Sequence, residues 1–399
     1  PVPDDWLAGG MAGATMSTAT TPKRGRPPKV APVPPGDRVS LYRFPAPPVV
    51  AGYDSTRDAG DCHWDSAAAE RAVRFFPACL TLPDGPQAGQ PYHLPEWQAQ
   101  ATALIFGWKR PDGTRRYREV LVLVPRKNAK TTWLAGVAAY LFLADREAGP
   151  QVAVGAIDRN QSGILWRIAR NMLAASALWD RVKEYKSSKR LMLGDDPAAV
   201  FWPVSCEAKN QHGLNLHGCF IDELHTQPNR ELYEALTSSM GARRQPLTFL
   251  ITTADYHRES ICNEKCAYAR TVRDGLVSDA TFLPILYEAT PEEDWHDPVL
   301  WARVNPNLGY SIVPGFLEAE HQKAVLQPSQ ENTFRRLHLN QPTDQDKRWL
   351  PMDAWKRCER ETPDADLSGK PCFGGLDLSL TDDMTSLVLY WPHNHALRS

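Results

Sequence analysis

The sequence predicts an α/β fold built on a mostly parallel sheet, and three features predict it. Between about residues 118 and 275, short apolar runs alternate with stretches of helical pattern. The leading run, "REVLVLV", is continuously apolar, as in strands buried on both faces. A cationic segment, Val124 to Thr131, then joins that run to the next helix, the corner of an α/β unit where phosphates bind.

The elements follow in order. Residues 1–48 are poor in large apolar side chains and rich in Pro, Gly, Ala and Thr, so a disordered tail is expected. Within it, "TPKRGRPPK" resembles an AT-hook, which would lay Arg24 and Arg26 along a narrow minor groove. A solvated basic tail is the competing reading. Helices are expected at "SAAAERAVRFF" and at "PEWQAQATALIFGW", the latter with Pro95 at its start. After the first strand come strand and helix pairs: "QVAVGAID" with "NQSGILWRIARNMLAAS", "HGCFIDE" with "NRELYEALTSS", and "PLTFLITTA" with "ESICNEKCAYARTVRDG". From residue 281 the pattern changes to turns and one long helix, "PGFLEAEHQKAVLQ", an appendage on the sheet domain. "CFGGLDLSLTDDMTSLVLYW" reads as two strands joined by an acidic turn.

Composition narrows the function classes. The 399 residues are 42% hydrophobic and 23% charged with a net charge of −2, so nucleic-acid binding must come from a local patch. No apolar run approaches the length of a membrane span. The eight cysteines are scattered and read as reduced thiols of a cytosol-like compartment, with a structural metal as the alternative.

The chemistry concentrates at the strand-to-helix corner. A phosphate loop normally reads G-x-x-x-x-G-K-[ST]. Aligned on Lys130 and Thr131, the chain has Val124 and Ala129 at the two glycine positions. The remaining requirements are an ammonium for the β- and γ-phosphates, a hydroxyl for Mg²⁺ and backbone N–H groups at a helix start. Lys130 and Thr131 supply the first two, with Thr132 in the same turn. Arg126 and Lys127 make the loop cationic, Asn128 tolerates a left-handed backbone, and Ala129 is the smallest substitute for glycine. A basic surface turn is the alternative. Asp222 and Glu223 end an apolar strand, where one acid can hold Mg²⁺ and the next can polarise a water; a plain helix cap is the bland reading. Thr252 and Thr253 end another strand, where they could sense a γ-phosphate; a strand simply running into a turn is the equal alternative. Gln98, in "YHLPEWQ", can bond both edges of adenine.

Together these residues resemble the large terminase subunit, the DNA-packaging motor of tailed double-stranded-DNA phages. The resemblance runs from about Leu41 to Trp391. It is strongest at "LPEWQ", "VPRKNAKT", "GLNLHGCFIDELH", "EEDWHDPVLWARVNPNLG" and "GGLDLSLTDDMTS". The family commonly has "RKNGK" where this chain has "RKNAK", so Ala129 is a departure. The resemblance implies a P-loop (RecA/ASCE-like) domain over 49–280, a lid subdomain and linker over 281–348, and the first strands of an RNase H-like nuclease over 349–399. It implies ATP and Mg²⁺ as cofactors, with Mg²⁺ or Mn²⁺ for the nuclease. Gln98 would contact adenine, Asp222 would be the Walker-B acid, Glu223 the catalytic carboxylate, and Thr252 and Thr253 the coupling residues. Arg126 would stabilise transition-state charge. Asp377 would be the leading nuclease ligand and Asp383 an accessory one. Because the chain ends at Ser399, an incomplete nuclease site is expected. The implied partners are double-stranded DNA, the portal protein, the small terminase subunit and further copies in a ring, in the host cytoplasm and with no membrane. Another P-loop translocase or helicase, and an inert DNA-binding protein, are the alternatives.

Overall fold

The computed structural model describes residues 43–156, 159–205, 214–256, 258–343, 364–378, 386–393 and 396–398. The basic segment with Arg24 and Arg26, and Asp383, lie outside the described residues. The chain divides into two compact units, Pro1–Lys347 and Arg348–Ser399.

The first unit is organised by an eight-stranded sheet. Its elements are β1 (His63–Trp64), α1 (Ser66–Cys79), α2 (Glu96–Gly107), β2 (Trp108–Lys109), β3 (Glu119–Leu123), α3 (Lys130–Leu143), β4 (Gln151–Ala156) and α4 (Arg159–Ala174). Next come β5 (Val182–Tyr185), β6 (Arg190–Leu193), β7 (Asp196–Ser205), β8 (Gly218–Asp222), α5 (Glu231–Ser238), β9 (Leu247–Thr252), α6 (Ile261–Arg273) and β10 (Phe282–Leu286). The strand order is β10-β3-β9-β8-β4-β7-β6-β5. The run from β10 to β7 is parallel, and β6 and β5 extend it as antiparallel strands. The α/β class with a parallel-rich sheet is therefore the observed one.

Three features differ from the sequence reading. Phe44, assigned to the tail, is buried in the main core, and its carbonyl accepts the Trp64 indole N–H. β5, β6 and β7 are absent from the reading: "VKEY" and "RLML" are short and interrupted by charge, and β7 carries Pro197 and Pro203. β10 falls inside the stretch assigned to the lid, yet it is fully buried and pairs with β3. Pro284 weakens its strand signal, but β10 is an edge strand, where a missing N–H is tolerated.

Beyond β10, α7 (Pro298–Val304), α8 (Phe316–Leu326) and α9 (Glu331–Leu339) enclose a second, smaller core around Trp301, Val304, Leu317 and Phe334. The unit Arg348–Ser399 contains α10 (Asp364–Leu367) and a three-stranded antiparallel meander, β11 (Phe373–Asp377), β12 (Ser386–Trp391) and β13 (Ala396–Arg398). Two strands were expected there; the third returns against β12. No described helix is long and apolar enough to cross a membrane.

A buried ionic network ties the sheet together at the edge where the parallel strands begin. Arg115 precedes β3, Asp145 follows α3, and His217 precedes β8. The Arg115 guanidinium donates to both Asp145 oxygens at 3.1 and 3.0 Å, and His217 Nε2 lies 2.7 Å from Oδ2. Burial alone would raise the Asp145 pKa, but Arg115 and His217 outweigh it and bring it down to about 2. That stabilisation is complete above the ordinary carboxyl value and is lost as pH falls through about 2. Asp145→Ala leaves a buried guanidinium without its carboxylate. It should lower unfolding free energy by about 3–5 kcal/mol in urea melts.

Candidate functional site

Parallel pairing brings three strand ends to one edge of the sheet. Leu123 of β3 is in register with Thr252 of β9, and Ile251 of β9 with Asp222 of β8. All three strands run the same way, so their carboxyl ends form one crevice. β9 thus places Thr252 between the cationic loop and the acids.

The loop between β3 and α3 explains its own missing glycines. Val124 continues the pairing, its N–H donating to Thr252 O at 3.1 Å, so a β-branched residue is unstrained there. Ala129 is different. It caps α3 with φ 54° and ψ 35°, a left-handed conformation that favours glycine. Lys127 is also left-handed, with φ 71°. Asn128, expected to exploit its tolerance of that region, does not; its side chain is buried and bridges to Asn305 and Asn307. The side chains of Arg126 and Lys127 are exposed, and Thr132 is half-buried in the first turn of α3.

Lys130, at the start of α3, is 6% exposed. Its Nζ lies 3.4 Å from Glu223 Oε1 and makes no hydrogen bond. Burial lowers its pKa, and the charges of Glu223 and Asp222 oppose that. The Thr131 hydroxyl donates to Asp222 Oδ2 at 2.7 Å. Burial, and then the Glu223 charge, raise the Asp222 pKa to about 6. Glu223 adopts φ 50°, and its N–H donates to Asp222 Oδ1 at 2.9 Å. Its Oε2 is buried without a hydrogen bond. The crevice therefore holds a lysine ammonium and a carboxylate oxygen whose hydrogen-bonding capacity is unused. It also pairs a hydroxyl with a carboxylate, the hard oxygen donors that suit Mg²⁺. The first-turn N–H groups of α3 have no intrahelical partners and suit an anion. These residues fit a magnesium–nucleotide.

Gln98 is placed differently from its expected adenine contact. It is fully buried. Its Oε1 accepts from the Tyr92 hydroxyl at 3.0 Å, and its Nε2 faces the carbonyls of Ala129 and Asn128 at 3.4 and 3.5 Å. Gln98 thus lies against the backbone of the loop that leads into Lys130.

Three residues of the site carried no assigned role in the sequence. His225 follows the acids in "DELH". Its backbone N–H donates to Thr252 Oγ1 at 3.1 Å, and its Nδ1 lies 3.1 Å from that oxygen and 3.3 Å from Glu223 Oε2. The Thr252 hydroxyl gives its proton to Thr253 O, so Nδ1 is the donor toward Thr252. Burial pushes the His225 pKa down to about 4, so the ring is neutral at pH 7. Thr253 is also buried, its hydroxyl 3.4 Å from the same nitrogen. Asn305 and Asn307 stand in "NPNLG", a cluster that reads locally as a turn.

Asp377 ends β11, with Ser386 opposite it in register. Among the described residues, no group of three or more His, Cys, Asp or Glu side chains is placed to hold a metal.

Two outcomes test this geometry. Ala129→Gly should raise stability by roughly 0.5–1 kcal/mol, the relief of a left-handed alanine less the extra freedom of glycine in the unfolded chain. A lower Tm would contradict the left-handed assignment. Asp222 has a folded pKa above its unfolded value of 3.8, so its favourable contribution is full below that pH and lost as pH rises through about 6. Asp222→Asn should therefore stabilise the nucleotide-free protein by roughly 1–3 kcal/mol at pH 7, with little gain near pH 4, in parallel denaturant melts.

Comparison with known proteins places the chain. A family model described as "Terminase large subunit, ATPase domain" matches residues 96–271, and one described as "Terminase large subunit, endonuclease domain" matches residues 276–397. The terminase large subunit of Enterobacteria phage HK97 is 27% identical over 327 residues, covering 80% of this chain and 62% of that protein. Protein YmfN of Escherichia coli K12 is 30% identical over 188 residues, 47% of this chain and 41% of that protein. The crystal structure of the HK97 large terminase superposes with a TM-score of 0.59 at 26% identity, covering 82% of this chain and 66% of that one. The chain spans less than two thirds of the length of each of these relatives. Two models of one family, the ATPase and the endonuclease, match successive stretches of the sequence, and the chain belongs to the phage terminase large-subunit family.

Proposed function

We propose that this chain hydrolyses ATP at the crevice between α3 and β8 and uses the energy to drive double-stranded DNA into a procapsid. The observation that carries the proposal is the enclosed Lys130 ammonium facing Glu223, beside the Thr131–Asp222 pair. Lys130 and the α3 N-terminus bind the β- and γ-phosphates. Thr131 and Asp222 would hold Mg²⁺, which neutralises phosphate charge when bound. Glu223 orients a water and accepts its proton as the water oxygen bonds to the γ-phosphorus. The bond to the β–γ bridging oxygen breaks, and ADP and phosphate leave. In the geometry described here Lys130 pairs with Glu223 itself, so nucleotide must draw the ammonium toward phosphate before the carboxylate is free. His225 Nδ1 donates to the Thr252 hydroxyl and lies 3.3 Å from Glu223 Oε2, a proximity that would give hydrolysis a route into β9.

The exposed Arg126 and Lys127 add positive charge at the loop, and Arg126 is the candidate for transition-state charge. The basic segment around Arg24 and Arg26 would add phosphate contacts to DNA. The finer family reading includes a ring of copies on the portal protein, delivery of DNA by the small subunit, and action in the host cytoplasm. Metal-dependent cleavage by the nuclease, with Asp377 and Asp383 as ligands and Mg²⁺ or Mn²⁺ bound, belongs to the same proposal.

Hydrolysis and binding separate the roles. Glu223→Gln should keep Mg-ATP binding while turnover falls by about 10²–10⁴. Lys130→Ala should lose binding and turnover together. Phosphate release and a fluorescent-nucleotide titration on the same preparations check both, and wild-type turnover by Glu223→Gln would remove Glu223 from the chemistry.

A further inference from the structure

The "NPNLG" segment lies 177 residues from the phosphate loop in sequence and touches it in space. Asn128, Asn305 and Asn307 are each no more than 1% exposed. Asn305 Nδ2 donates to Trp301 O at 2.9 Å and to His338 O at 2.8 Å, which uses both of its hydrogens. Its Oδ1 must then face the loop, where it accepts from Asn128 Nδ2 at 3.0 Å. The other Asn128 hydrogen goes to Pro125 O at 3.1 Å, so Asn128 Oδ1 is left to accept the Asn307 backbone N–H at 3.0 Å. Each amide orientation dictates the next, because a flip at any position would set like groups against each other in a dry interior.

The neighbouring residues are held in the same way. The Arg126 N–H donates to Leu337 O at 2.9 Å. The Ser311 hydroxyl donates to Lys127 O and accepts from Asn307 Nδ2 at 3.1 Å. Asn307 Oδ1 accepts the Trp97 indole N–H at 2.7 Å, which anchors the segment to α2. Three consecutive loop residues, 126 to 128, are thus bonded to chain beyond residue 300. The loop also carries two left-handed non-glycine residues, Lys127 and Ala129, each costing about 1–2 kcal/mol. Such a conformation persists only where its surroundings over-determine it.

We infer that Asn305 and Asn307 are positioning residues of the nucleotide site: through Asn128 they hold the phosphate loop in its binding shape, so that loop readiness and the seating of the α7–α9 subdomain are one equilibrium. The inference rests on the nucleotide-site reading above. Linkage makes it reciprocal: if a seated subdomain favours nucleotide, nucleotide favours the seated subdomain.

The test uses the full chain and the slowly hydrolysed analogue ATPγS with Mg²⁺. Asn305→Ala should raise the Kd about tenfold or more. Asn128→Ala should do the same, and the double variant should be no worse than the weaker single, since all three break one connection. In the wild-type protein, nucleotide should slow hydrogen exchange in the Trp301–Ile312 peptide, which contains the Asn307 N–H. That measurement needs no variant to fold. An Asn305→Ala protein with a lower Tm but wild-type Kd would reduce the contact to a structural one and overturn the inference. Unchanged exchange in that peptide on saturation of the wild type would do the same. If the wild type fails to bind ATPγS at all, the nucleotide reading falls first and takes this inference with it.

Discussion

The carboxyl edge of this sheet depends on one electrostatic constraint: a buried ammonium meets two adjacent carboxylates, with Lys130 Nζ and Glu223 Oε2 left without hydrogen bonds. Burial pushes Lys130 toward neutrality, opposed by the two carboxylates, and burial with the Glu223 charge pushes Asp222 toward protonation, opposed by Lys130 and Thr131. Such a cluster weakens the fold that carries it, since enclosed charges are costly unless fully paired. Under the proposed function it is half of a larger charge set, which a polyanion and a divalent cation would complete. The strained backbone of Glu223, whose neighbour in sequence is the raised-pKa Asp222, belongs to the same economy of preorganisation.

The opposite edge of the sheet carries a second ionic cluster. Arg115, Asp145 and His217 form a buried ionic network there, with the Asp145 carboxyl paired on both oxygens and held near pKa 2. The two clusters have similar residue types and opposite electrostatic fates. Around Asp145 the positive partners outweigh burial, whereas around Asp222 burial and a second carboxylate prevail.

The loop at the crevice lacks both glycines of the usual phosphate-loop pattern, and the two positions differ in backbone conformation. Glycine is dispensable at Val124 because the strand pairing continues through it. At Ala129 the left-handed backbone remains, and buried asparagine contacts surround the loop that carries it. Rigidity drawn from a distant segment also ties that segment to the loop, which a self-sufficient glycine loop would not do.

Much of this was legible in the chain itself. Continuous apolar runs specify a sheet buried on both faces, the Lys130–Thr131 pair marks a strand-to-helix corner, and Asp222–Glu223 marks a strand tip. These are local signals, set by hydrophobic periodicity and by chemistry within a few residues. Other features escaped. β10 was hidden by Pro284, whose tolerance depends on an edge position known only from the assembled sheet. Gln98 has the right chemistry for a base, and the fold sets its amide against the loop backbone, a placement that polarity alone cannot reveal. The roles of His225, Asn305 and Asn307 were decided by tertiary structure alone: their neighbours are fixed by strand order and by a chain returning 177 residues later, and a hydrogen bond of that span leaves no periodic trace in the sequence.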